Sequence, residues 1–125
     1  MRDRPVYSGY LVGKPDGGPE CEAFERELQA YYGVPYARVF NSATSALHSA
    51  LAAVGVSRDD RVVVPAYSMS ASAAAIVHCG AWPVFADIDD HFCLSHRTVK
   101  AVRTERTKAM VLVHLNDLHW NDIYY

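Results

Sequence analysis

The sequence predicts an α/β fold, a mainly parallel sheet with helices on both of its faces. Short apolar runs alternate with helical patterns at short spacing through the chain, and those runs are apolar throughout rather than every second residue. A strand that is buried on both faces needs apolar side chains on both, which is the pattern of a parallel sheet sandwiched between helices.

Residues 1–18 carry Gly9, Gly13, Pro15, Gly17 and Gly18 without a sustained period and read as an N-terminal arm. A helix is expected from Pro19, a residue suited to the first helical position, with Glu20 and Glu22 placed favourably in the first turn. Phe24, Leu28, Tyr31 and Tyr32 would share one face, and Gly33 and Pro35 would end the helix. A short strand is expected over residues 36–40, then a polar turn, Asn41-Ser42-Ala43-Thr44-Ser45. The second helix would run to about Val54 with Ala46, Leu47, Ala50 and Leu51 on its apolar face and Gly55 closing it. Residues 61–64 form an apolar strand ended by Pro65. An alanine-rich helix follows over about 70–79, closed by Gly80, and then a strand over 82–86. Ser95 is a good cap for a helix over about 96–103, and a last strand is expected over 108–113. Residues 116–125 have no clear period and read as a tail, so the predicted domain is 19–115.

The chain has 125 residues, which is one domain's worth, and it can bury roughly two-thirds of its unfolded surface. A formal charge of -2 leaves no basic footprint, so no nucleic-acid partner is expected. Three widely spaced cysteines without a CxxC pair argue for reduced thiols rather than a disulfide framework. No apolar segment follows the N-terminal Met1-Arg2-Asp3-Arg4-Pro5, and the longest apolar stretch, 71–77, is too short to span a bilayer. The expectation is a cytoplasmic protein with no membrane partner.

Chemistry is best sought in the turns at the carboxyl ends of the strands. The turn 41–45 follows an expected strand and opens a helix, where free backbone N–H groups and the positive end of the helix dipole attract an anion. Thr44 and Ser45 add hydroxyl donors, enough to hold a phosphate without a lysine or arginine. A plainer alternative is that Ser42 or Thr44 only caps the helix.

Gly18-Pro19, Phe24-Glu25, Tyr32-Gly33 and Asn41-Ser42-Ala43-Thr44-Ser45-Ala46-Leu47-His48 occur in order, followed by Gly55-Val56, Ala71-Ser72-Ala73 and Gly80-Ala81-Trp82-Pro83-Val84-Phe85-Ala86-Asp87-Ile88-Asp89. With Arg106-Thr107-Lys108-Ala109 and Val113-His114-Leu115, this series resembles the N-terminal part of DegT/DnrJ/StrS-type sugar aminotransferases over about residues 17–115. The resemblance implies part of the large domain of a fold type I enzyme that uses pyridoxal 5'-phosphate (PLP). Such enzymes transfer an amino group from glutamate or glutamine to a keto sugar carried on a nucleotide. It also implies that Thr44 and Ser45 hold the PLP phosphate. Met69 stands where the family usually stacks an aromatic ring on the cofactor, with Tyr67 two residues earlier as a substitute and plain core packing as the alternative for Met69.

The family's Schiff-base lysine and the aspartate that pairs with the pyridine nitrogen match no residue of this chain, whose lysines are Lys14, Lys100 and Lys108. No catalytic residue is therefore assigned, and the expectation is a truncated chain that is inactive alone. The competing expectation is a non-enzymatic module that binds a phosphorylated small molecule or pairs with a full-length relative. A more distant one is a metal-dependent hydrolase built on Asp87 and Asp89. Asp87, Asp89, Asp90 and His91, like His114, Asp117, His119 and Asp122, read more simply as solvated polar side chains, so no metal is expected. Four strands would leave an open sheet edge and uncovered apolar surface, which predicts a homo-oligomer, such as a dimer, or a complementing chain.

Overall fold

The computed structural model describes residues 17–115, so most of the expected arm and all of the expected tail lie outside the described residues. The chain divides between Asn41 and Ser42 into two compact units.

The first unit is built on α1 (Pro19–Tyr32), which starts at the expected proline behind Gly18 and has Glu20 and Glu22 in its first turn. It ends because Gly33 adopts the left-handed conformation (φ 65°, ψ 30°) that residues with a Cβ resist, and the Gly33 and Val34 amides both turn back onto the Gln29 carbonyl. Its one fully buried residue is an acid, Glu25. Glu25 accepts a hydrogen bond from Arg38 Nη1 at 3.1 Å and another from the Val39 amide at 3.0 Å. The strand expected over 36–40 is not formed. Its apolar residues suit a strand, but a strand exists only through amides paired with a neighbour, and the Val39 amide is committed to a carboxylate instead.

The second unit holds the sheet. β1 (Arg61–Pro65), β2 (Trp82–Ala86) and β3 (Thr107–Met110) lie in the order β2-β1-β3, all parallel. Among the described residues there are three strands where four were expected, and β3 stops short of the expected Val113, although the Val111 amide still reaches the Val63 carbonyl at 2.8 Å. The helices are α2 (Ala43–Ala53), α3 (Ser70–His78) and α4 (His96–Val102), close to the expected bounds. Ser95 caps α4 in a reciprocal capping box with Thr98.

Alternation along β1 sends its side chains to two cores. Val62 and Val64 pack with Leu51 of α2 and with Ala75 and Ile76 of α3, while Val63 packs with Ala86, Leu94 and Val99 on the side of α4. Helices therefore cover both faces, as the unbroken apolar run Val62-Val63-Val64 requires. Each of these valines is at most 1% exposed, and full burial of such a side chain contributes about 1.5–3 kcal/mol. The two outer strands differ. Pro83 in β2, opposite Val62, has no N–H to offer a further strand, whereas β3 carries no such block.

No disulfide links the three cysteines, and burial pushes the Cys79 thiol up from its ordinary value. Among the described residues no helix is long and apolar enough to cross a membrane.

Candidate functional site

α2 leads into the amino end of β1, so its own start is directed toward the carboxyl ends of the strands, the end from which β1 hands over to α3. Ser42, in extended conformation, is the cap of α2: its Oγ accepts from the Ser45 amide at 3.2 Å, and its carbonyl accepts from the Ala46 amide at 3.1 Å. Ser42 Oγ and Ser45 Oγ are also hydrogen-bonded at 3.0 Å. The plainer expectation, that Ser42 caps the helix, thus holds, and it uses the Ser45 amide.

The cap does not exhaust the donors. The Ala43 and Thr44 amides are the first two of the helix and have no acceptor within it. No hydrogen bond of the Thr44 hydroxyl is found among the described residues, and Thr44 and Ser45 are only half-buried. Four donors can therefore face outward here: two amides and two hydroxyls, at the positive end of an eleven-residue helix.

Met69 immediately precedes α3 and is 74% exposed, so it is not the core residue that one expectation allowed. With Pro65, Ser68, Ser70 and Phe85 it lines a hollow of about 260 Å³ at the carboxyl ends of β1 and β2. Thr44 and Ser45 are not among the residues lining that hollow. Tyr67 leans on Phe92, with ring centroids 5.9 Å apart, and is thereby occupied.

The acidic loop after β2 is held together by its own carboxylates. Asp87 Oδ1 accepts from the Ile88 amide, and Asp89 Oδ1 accepts from the amides of His91 and Cys93. Among the described residues no group of three or more His, Cys, Asp or Glu side chains could hold a metal ion, so the hydrolase expectation finds no support there. Asp117, His119 and Asp122 lie outside the described residues.

A second hollow, of about 790 Å³, opens at the other end of the sheet between Arg58, Arg61, Trp82 and Arg106. Sequence reading did not group these residues, because they come from three separate segments and only the strand pairing brings them together.

Residues 12–120 match the profile of the DegT/DnrJ/EryC1/StrS aminotransferase family. The chain is 45% identical over 93 residues to the L-glutamine:2-deoxy-scyllo-inosose aminotransferase of Streptomyces fradiae, a stretch that covers 74% of this chain and 22% of that protein. It is 43% identical over 93 residues to the GDP-perosamine synthase of Caulobacter vibrioides, covering 74% of this chain and 25% of that one. It also superposes on the solved structure of NtdA from Bacillus subtilis with bound cofactor PMP, with a TM-score of 0.75 and 34% identity over 85% of this chain and 25% of that one. The chain thus spans about a quarter of the length of these relatives.

Proposed function

We propose, because this chain belongs to the DegT/DnrJ/EryC1/StrS aminotransferase family, that it forms the phosphate-holding part of a PLP-dependent enzyme acting on a keto sugar carried by a nucleotide. The observation that carries this reading is the start of α2, where the Ala43 and Thr44 amides and the Thr44 hydroxyl, beside Ser45, have no acceptor among the described residues. This donor set fits a phosphate dianion: all its members donate, and the helix dipole adds to the attraction.

Ser42 and Ser45 act together in this reading. Ser42 Oγ accepts the Ser45 amide proton, its own proton goes to Ser45 Oγ, and the Ser45 proton is left to donate to the phosphate. Ser45 therefore serves through its hydroxyl and Thr44 through both hydroxyl and amide. Met69, whose exposed thioether can contact a ring favourably, would be the residue that meets the cofactor's ring, while Tyr67 packs on Phe92. When bound, PLP supplies the electron sink for amino transfer. In this reading the cofactor-bearing lysine is none of Lys14, Lys100 and Lys108.

Titration with PLP, followed by calorimetry, tests the reading. Thr44→Ala should weaken binding about tenfold, the worth of one charge-assisted hydrogen bond, and Ser45→Ala about as much. Equal affinity in all three proteins would remove the phosphate cradle from the account.

The second reading, a module that pairs with another chain of the same fold, is favoured by the asymmetry of the sheet edges. Met110 and Leu112 are 43% and 38% exposed on and just beyond β3, whereas β2 ends the sheet with Pro83. Light scattering that finds only monomer at micromolar concentration would count against it.

A further inference from the structure

We infer that His48 and His78 form a chelating site for a divalent transition-metal cation of the zinc class, on the seam between α2 and α3. The inference does not rest on the phosphate reading, which uses the start of α2 and no histidine.

Helix packing brings the two rings together from distant parts of the sequence. Leu51 of α2 shares one core with Ala75 and Ile76 of α3, over Val62 and Val64. His48 stands three residues before Leu51, and His78 three residues after Ala75. Helical residues three apart are neighbours on the surface, so each histidine flanks the packed face of its helix. A hydrogen bond pins the same place: the Cys79 thiol, at the C-cap of α3, donates to the His48 carbonyl at 3.8 Å. The imidazole centroids lie 5.8 Å apart, with the ring planes at 79°.

That separation suits a shared ion. Imidazole nitrogen is a preferred ligand of zinc, copper and nickel, and two imidazoles bound to one ion at roughly 2.0–2.1 Å stand with their centroids about 5–6 Å apart. The outer torsion of histidine is broad, so turning the rings aims one nitrogen of each at a common point without moving either helix. Among the described residues neither ring is engaged in a hydrogen bond or an ion pair, so no partner has to be given up. His78 is exposed and His48 half-buried, which lets the ion arrive from water and keep water in its remaining positions. Two protein ligands are all the site supplies, in keeping with the lack of any group of three. In the unfolded chain the two histidines are far apart in sequence, so only the folded α2–α3 pair chelates, and the ion stabilises it.

Calorimetric titration of the full chain with zinc chloride, joined to urea unfolding with and without zinc, tests the site. Zinc should bind with a roughly micromolar dissociation constant and raise the urea midpoint. His48→Ala and His78→Ala should each weaken zinc by about tenfold or more, because a lone imidazole loses the high effective concentration of its partner, and each should abolish the rise in midpoint. His91→Ala, His96→Ala and Thr44→Ala should bind zinc as the parent does, and magnesium, which prefers oxygen ligands, should give no heat and no shift. His78 is exposed, so His78→Ala should keep the parent's far-ultraviolet circular dichroism, and this variant decides the matter if His48→Ala does not fold. The site is refuted if His78→Ala binds zinc as the parent does, if zinc leaves the parent's urea midpoint in place, or if His91→Ala or His96→Ala weakens zinc as much as His78→Ala.

Discussion

Residues 19–41 and residues 42–115 draw on similar apolar content and use it in opposite ways. In the second unit, β1 buries every residue from Val62 to Pro65, and helices close over both faces. In the first, α1 leaves Phe24 51%, Tyr31 82% and Tyr32 67% exposed and buries the carboxylate of Glu25 instead. Apolar periodicity therefore marks where an element lies but not whether its face finds a partner. Where none is supplied, a charge-assisted polar contact holds the segment in shape.

The strongest test of this contrast is a cavity in the sheet unit. Ile76, which is 0% exposed, should cost about 2–5 kcal/mol on Ile76→Ala in urea unfolding, enough to leave much of the chain unfolded in water. Glu25→Ala comes next. The Arg38 side chain is 58% exposed and regains water, but the Val39 amide loses its acceptor, so the expected cost is about 1–2 kcal/mol, confined to residues 19–41 and read as faster hydrogen exchange at Val39. Ser95→Ala removes the cap of α4 and should cost about 1 kcal/mol, again by urea unfolding. The smallest change is expected on the bare face of α1: Tyr31→Ser should shift stability by no more than about 0.5 kcal/mol. A loss of several kcal/mol there would mean that the face is covered in solution, and the contrast would fail.

Much of the fold was legible from residues that act locally. Pro19 and Gly33 bound α1, Gly80 stands just past α3, and Ser95 caps α4, because each works through its own backbone or a neighbour three or four residues away. Residues 36–40 depart from the strand expectation for the converse reason. Their apolar side chains suit a strand, but pairing is decided by which group takes the Val39 amide, and Glu25 lies 14 residues away. The candidate site divides likewise. A cap at Ser42 and donors at Thr44 could be read from the turn, whereas the loss of the Ser45 amide to Ser42 and the exposure of Met69 follow from side-chain geometry. The arginine-lined hollow was illegible, since strand register alone brings Arg61 beside Trp82 and Arg106.

The measurement that bears most directly on the central claim is an amide proton–nitrogen spectrum of the labelled chain recorded as PLP is added. If the start of α2 holds the phosphate, the Ala43 and Thr44 amides should move first and furthest, because a new anionic acceptor lands on them, while the Val63 amide in the middle of β1 stays in place. Saturable binding that leaves Ala43 and Thr44 unmoved would contradict the account.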